Sequence, residues 1–167
     1  MALFGKITMP NMFSSNTASF HHELYDMFLN KDLKKICIQA PRHHAKSSIG
    51  ACVFPIHHLV FDEGPKLILL CSKTLGHSIR LLDTIKNVLE YSMPFRALFG
   101  YWGQHSATAW TRHEIALKDG SLITTRGTGQ QVIGLKHGDQ RPTLVIVDDP
   151  EDMNNTKTAE AMDMNLK

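Results

Sequence analysis

An α/β fold with a mainly parallel central sheet flanked by helices is predicted by three features of the sequence. Short apolar runs at residues 34–40, 66–72 and 144–147 have the look of strands buried on both faces. Between the first two, and after the second, apolar residues recur at helical spacing. Asp119-Gly120 divides two strand-like runs within residues 114–125, a strong short-range hairpin signal.

The elements follow in order. Residues 1–19, rich in Ser, Asn, Thr and Met, read as a lead-in arm before a single domain spanning 20–167. Phe20, Leu24, Met27 and Phe28 give a short amphipathic helix ending near Asn30. The run KKICIQA then reads as a buried strand leading directly into PRHHAKSS. Ile49, Cys52, Val53, Ile56, Leu59 and Val60 form one helical stripe, with Pro55 off it and expected to kink or shorten the helix. After Gly64-Pro65 comes the strand KLILLCS, then a helix carrying Leu75, Ile79, Leu82, Ile85 and Leu89 that stops before Pro94. Residues 95–110 are aromatic and irregular, and 126–142 form a glycine-rich polar loop with several basic residues. The last apolar run ends in Asp148 and Asp149.

Composition sets wide bounds. The chain has 167 residues, 43% of them hydrophobic and 20% charged, which suits one globular domain. A net charge of +2 is compatible with nucleic acid without pointing to it. Lys31, Lys34, Lys35, Arg80, Lys86, Arg112 and Lys118 are scattered, as on an ordinary solvated surface. No apolar stretch reaches the ~18–20 residues of a membrane span, and the start lacks signal-peptide character. Cys37, Cys52 and Cys71 lie unpaired in apolar runs, so reduced core thiols and an intracellular setting are expected. The ten histidines show neither finger spacing nor an HExxH frame, which argues against a histidine metal site.

The chemistry concentrates in two places. In the phosphate-binding pattern Gly-x-x-x-x-Gly-Lys-[Ser/Thr], backbone amides and a helix N-terminus cradle phosphates, the lysine neutralises β/γ oxygens and the hydroxyl ligates Mg²⁺. Ala40 and Ala45 occupy the glycine positions here, Pro41, Arg42, His43 and His44 fill the crown, and Lys46, Ser47 and Ser48 follow. Taken alone, this also describes a strand-to-helix turn with a solvated lysine. The final strand, however, delivers Asp148 and Asp149 to its C-terminal end, where open α/β sheets place ligands. Asp148 would hold Mg²⁺ opposite Ser47, and either Asp149 or Glu151 would orient or deprotonate an attacking water. The plain alternative for the two aspartates is a strand-end cap. With alanine at both glycine positions, the loop must avoid left-handed angles or bear about 1–2 kcal/mol of strain. His43 and His44 add bulk beside phosphate, and could add donors or tune affinity with pH.

Together, SFHHELYDMFL, KKICIQAPRHHAKSSIGACVFPIHHLVF, KLILLCSKT and GTGQQVIGLKHGDQRPTLVIVDDPED resemble the N-terminal ATPase domain of tailed-phage large terminases, over roughly residues 18–155. The resemblance implies a P-loop NTPase fold of the ASCE/RecA-like kind. It implies Mg²⁺-dependent ATP hydrolysis that drives packaging of double-stranded DNA into a procapsid in the host cytoplasm. Arg42, Lys46 and Ser47 match the arginine, lysine and hydroxyl of the terminase P-loop, and Asp148 and Asp149 its acidic pair. Phe20 and His21 resemble the upstream adenine-contacting motif, although Phe20 also belongs to the apolar stripe of its own helix. Such motors act as homo-oligomeric rings, with portal and small terminase as partners. The trans-acting basic residue would come from Arg126, Lys136 or Arg141. Large terminases continue with a coupling motif on a further strand and a nuclease domain, so a chain stopping at Lys167 reads as a fragment or split product without nuclease activity. Two other readings remain: a helicase-like P-loop translocase, whose usual DE-x-[HD] form DDPE lacks, and a nucleotide-binding module inactive in this short form.

Overall fold

The computed structural model describes residues 1–128 and 139–150. Its elements are α1 (Ala2–Thr8), α2 (Ser19–Leu29), a π-helical segment (Ser48–Val53) continuing into α3 (Phe54–Phe61), β1 (Leu67–Ser72), α4 (Leu75–Tyr91), α5 (Met93–Phe99), β2 (Ala107–Trp110), β3 (Glu114–Leu117), β4 (Leu122–Gly127) and β5 (Leu144–Asp148). They form a mixed α/β structure around one five-stranded sheet of order β2-β3-β4-β1-β5. β1 pairs in parallel with both β4 and β5, while β3 runs antiparallel to β2 and to β4. Four of the five strands therefore point the same way, and among the described residues β5 is an edge.

The core grows from β1, all of whose residues are buried. Ile68 and Leu70 share one face of the strand. They join Val53, Ile56 and Leu59, the α4 stripe Leu82, Ile85 and Leu89, and Phe95 of α5 in a single cluster. α4 is held at its start by Thr74, whose hydroxyl accepts from the His77 amide. The hairpin turns at Gly120, where φ is +86°, a left-handed value that costs glycine nothing. No helix among the described residues is long and apolar enough to cross a membrane.

Several expectations are corrected. Residues 1–19 contain α1, and Phe4 and Met9 enter the main core. Phe4 lies edge-on to the rings of His57, Phe61 and Phe99 at centroid distances of 5.4–5.8 Å. The irregular aromatic stretch forms α5 and the edge strand β2. Residues 34–40 form no helix and, among the described residues, pair with no strand. Ile36 and Ile38 are half-buried, and Cys37 between them is exposed, so it is no core thiol. Cys52 and Cys71 are buried as expected. Pro55 neither ends nor sharply breaks its helix. Lacking an amide to donate back one turn, it follows a widened π turn before regular α-helix resumes.

Two polar links fasten β5 to the helix beneath it. At one end the Ser47 hydroxyl donates to Asp148 Oδ1 at 2.8 Å. At the other, His58 Nε2 lies 3.2 Å from Thr143 Oγ1. Eleven residues of helix separate Ser47 from His58, a rise of about 16 Å, and five residues of strand separate Thr143 from Asp148, about 17 Å. The lengths match because helix and strand run antiparallel.

His58 Nδ1 meets Asp62 Oδ2 at 2.5 Å. Burial lowers the His58 pKa despite the opposing Asp62 carboxylate, and burial likewise lowers that of His57. A histidine with a depressed folded pKa binds fewer protons folded than unfolded. Its stabilisation is present above the ordinary value of 6.5 and is lost as pH falls below it. Asp62 is partly buried, which opposes ionisation, yet the hydrogen bond and charge of His58 with the charge of Lys31 keep its pKa below the usual value. That contribution disappears only in stronger acid, below 3.8. The melting temperature should therefore drop by several degrees between pH 7.5 and 5.5 in calorimetry, with a shallower slope in His58→Gln; equal slopes would show that His58 does not carry the effect.

Candidate functional site

The loop 40–48 follows the irregular segment 34–40 and enters a helix that is continuous from Lys46. Its crown is built from side chain-to-backbone bonds. His44 Nδ1 donates to the Arg42 carbonyl at 2.9 Å, and His21 Nε2 donates to the His44 carbonyl at 3.1 Å. The Phe20 ring lies 4.1 Å from that of His21 and 5.5 Å from that of His44, centroid to centroid. The start of α2 is thereby docked on the loop. Lys46 Nζ reaches back to the Ala40 carbonyl at 3.4 Å, and the Ile49 amide donates to the Ala45 carbonyl at 2.9 Å, opening the helix. Arg42, His43 and His44 are exposed, with Lys46, Ser47 and Ser48 half-buried.

Left-handed angles are borne rather than avoided. His43 has φ +65° and Ala45 φ +56°, whereas Ala40 has no positive φ. The two alanines should consequently respond in opposite ways to glycine. Ala45→Gly relieves about 1–2 kcal/mol of left-handed strain against about 0.4–1 kcal/mol of extra unfolded-chain entropy. The net runs from about zero to a gain of about 1.6 kcal/mol. Ala40→Gly brings only the entropic loss of about 0.4–1 kcal/mol. Denaturant titrations showing the same sign for both would refute the assigned angles.

Across the sheet end, Ser72 of β1 pairs with Asp148 of β5, and the Lys73 amide donates to the Asp149 carbonyl at 3.3 Å. Asp148 is half-buried; Asp149 is exposed, at φ +49°. The Thr128 amide donates to the Ser72 carbonyl at 2.8 Å, and its hydroxyl donates to the Lys73 carbonyl at 2.9 Å. These bonds secure the end of the sheet from which the aspartates emerge. Behind Asp148 lies Cys52, whose thiol pKa is pushed up to about 12, first by burial and then by the Asp148 charge. It is an inert wall of the site rather than a nucleophile. Cys52, Lys73 and Thr128 carry no motif, so nothing in their sequence context marks them as neighbours of the aspartates.

The structure brings Lys46, Ser47, Asp148 and Asp149 to one end of the sheet, and Phe20 and His21 to the loop's flank. Arg126 also lies at this end of the sheet, paired with Cys71, but it is on β4, separated from β5 by β1, and its guanidinium donates to Thr124 Oγ1 at 3.2 Å and the Thr125 carbonyl at 2.7 Å. The other proposed residues are not gathered there. Arg141 precedes β5 and is exposed at the opposite end of the sheet, near where the Thr143 amide donates to the Leu67 carbonyl. Lys136 and Glu151 lie outside the described residues.

Hydroxyl and carboxylate oxygens facing each other at 2.8 Å are hard donors that suit Mg²⁺, an ion that retains waters and needs few protein ligands. Among the described residues no group of three or more His, Cys, Asp or Glu could hold a metal. Any cation bound here would depend on its ligand's oxygens and on water. Comparison with protein-family models, with curated proteins and with solved structures gave no match.

Proposed function

We propose that this chain is a P-loop ATPase domain of the kind found in phage large terminases, hydrolysing ATP with Mg²⁺ to move double-stranded DNA into a procapsid. The observation that carries the reading is the 2.8 Å bond between Ser47 and Asp148, residues 101 positions apart. A loop of phosphate-binding pattern and an acidic strand end, expected from the sequence to face each other, meet through the two side chains that such a site would use for its cation.

In this reading the loop amides and Lys46 hold the β- and γ-phosphates, and Phe20 and His21 flank the adenine. Ser47 and Asp148 would hold Mg²⁺, which, when bound, neutralises charge developing on the phosphates. Asp149 or Glu151 accepts the proton of the attacking water. A neighbouring subunit of a homo-oligomeric ring supplies a basic residue, for which Arg141 on the exposed far end is better placed than Arg126, tied to its own strand. Portal and small terminase are the docking partners the resemblance suggests, and the host cytoplasm the setting.

The test is a titration with a fluorescent ATP analogue, with Mg²⁺ and with EDTA, followed by phosphate release with and without duplex DNA. The reading expects Mg²⁺-strengthened binding, and in Asp149→Asn either normal turnover, assigning the base to Glu151, or binding without turnover. No binding at ~1 mM analogue would reject it.

A further inference from the structure

Two residues of the loop are left-handed, His43 at φ +65° and Ala45 at φ +56°, while His44 between them and Lys46 after them are not. Each is preceded by a peptide whose carbonyl an imidazole holds. His44 Nδ1 donates to the Arg42 carbonyl at 2.9 Å, just before His43, and His21 Nε2 donates to the His44 carbonyl at 3.1 Å, just before Ala45. We propose that His44 and His21 are positioning residues that do for this loop what glycine would do, holding it in the shape that receives an anion. The proposal rests on the nucleotide reading, since phosphate is the anion in question.

A peptide group turns over as a rigid plate. Turning it changes ψ of the residue before and φ of the residue after, which is the difference between a type I and a type II turn. Fixing a carbonyl therefore fixes the sign of φ at the residue that follows it. Glycine accepts either sign, whereas the Cβ of alanine or histidine favours negative φ. With no glycine at 43 or 45, the peptides 42–43 and 44–45 need a grip from outside, and these are the two that the imidazoles hold. Both peptides are trans, so each amide points opposite to its carbonyl. The His43 and Ala45 amides thus face away from the imidazoles, and among the described residues neither donates a hydrogen bond. Successive amides along a backbone whose φ alternates in sign form a concavity that takes anions.

The grips are firmly mounted. His21 stands in the first turn of α2, whose Leu24 and Tyr25 are buried with Ile49, and Ala45 and Ile38 pack on the same cluster. α2 is anchored in this way to the helix that the loop enters, apart from any bond made by His21. The Phe20 ring lies 4.1 Å from that of His21 and 5.5 Å from that of His44, so one aromatic ring braces both imidazoles. The bonding nitrogen of each imidazole carries its hydrogen, because a carbonyl only accepts. The side-chain amides of His21→Gln and His44→Asn offer an N–H at the same number of bonds from the backbone.

The test uses tripolyphosphate, which has the phosphates of ATP and no adenine, as a competitor of a fluorescent ATP analogue with Mg²⁺ present. His21→Phe and His44→Phe keep a ring and lose the N–H, and each should bind tripolyphosphate about three- to tenfold more weakly. His21→Gln and His44→Asn should recover most of that loss. Rescue by glycine should be paired. Ala45→Gly should bring His21→Phe to within about twofold of the wild type and leave His44→Phe weak, and His43→Gly should do the reverse. Weaker binding of the ATP analogue by His21→Phe with unchanged tripolyphosphate affinity would make His21 an adenine contact alone and overturn the proposal. So would glycine that rescues neither variant, or both alike. A wild type that binds neither probe at about 1 mM rejects the nucleotide reading and the proposal with it, whereas binding of both without paired rescue rejects the proposal alone.

Discussion

Lys46→Ala is expected to lower ATP turnover by about 10³-fold or more while leaving the melting temperature nearly unchanged. Lys46 is half-buried, and its recorded hydrogen bond is a 3.4 Å contact with the Ala40 carbonyl, so removing it takes little from the fold. On the proposed reading, its value would lie in a charge placed beside the γ-phosphate in the transition state. A phosphate-release assay at saturating ATP, beside a thermal melt, separates the two effects. If Lys46 were a solvated residue at an ordinary turn, the variant would hydrolyse ATP at the wild-type rate, or the wild type would not hydrolyse it at all. Lys46→Arg is not expected to rescue, because a planar guanidinium cannot take the place of a compact ammonium beside phosphate.

Ser47→Ala and Asp148→Asn should abolish the Mg²⁺ dependence of nucleotide affinity. In the wild type, EDTA is expected to weaken binding about tenfold or more; in either variant that ratio should approach one. The plain alternative is a tether from the helix to the end of β5, and both variants would disturb it equally. Stability therefore does not discriminate. A charge-assisted hydrogen bond is worth about 1.5–3 kcal/mol when shielded, and half-exposure of both residues argues for about 1 kcal/mol here. The Mg²⁺ ratio does discriminate, since a mere tether has no reason to change it. If Ser47→Ala lost stability yet kept the full ratio, the Ser47–Asp148 contact would be structural.

Much of the fold was legible because burial imposes periodicity. β1 is continuously apolar because both its edges are paired and both its faces buried. α4 shows a clean stripe because one side meets β1 and β4 while the other meets water. The β3–β4 hairpin was marked by Asp119-Gly120, a turn chemistry that acts over a few residues. Where local pattern and tertiary demand diverged, the reading failed. α1 is only seven residues long and could pass for part of an arm, yet Phe4 and the following Met9 enter the core and the Ser92 hydroxyl donates to the Thr8 carbonyl. ATAW has no strong alternation, and β2 exists because β3 offers it an edge. Residues 34–40 read as a buried strand because of their apolar pattern, but among the described residues they pair with no strand, and an apolar pattern alone cannot supply a partner.

The candidate site divides in the same way. The loop 40–48, its lysine and hydroxyl, and the strand end at Asp148–Asp149 were visible, since each is a short chemical pattern that needs no knowledge of distant contacts. The π turn before Pro55, the His58–Thr143 link and the Cys52 wall behind Asp148 were not, because each depends on groups far apart in the chain. Alanine at both glycine positions posed a choice between avoiding and bearing left-handed strain. Sequence left that choice open because φ is set by what the surrounding structure forces on the chain. The sequence by itself determined an α/β arrangement and the residues that could carry phosphate chemistry. Tertiary structure alone decided that Ala45 and His43 bear positive φ and that Ser47 reaches Asp148. It also placed β5 at the edge of the sheet among the described residues. Periodicity records how each segment is buried, whereas the meeting of two segments 101 residues apart is recorded only in the packing that joins them.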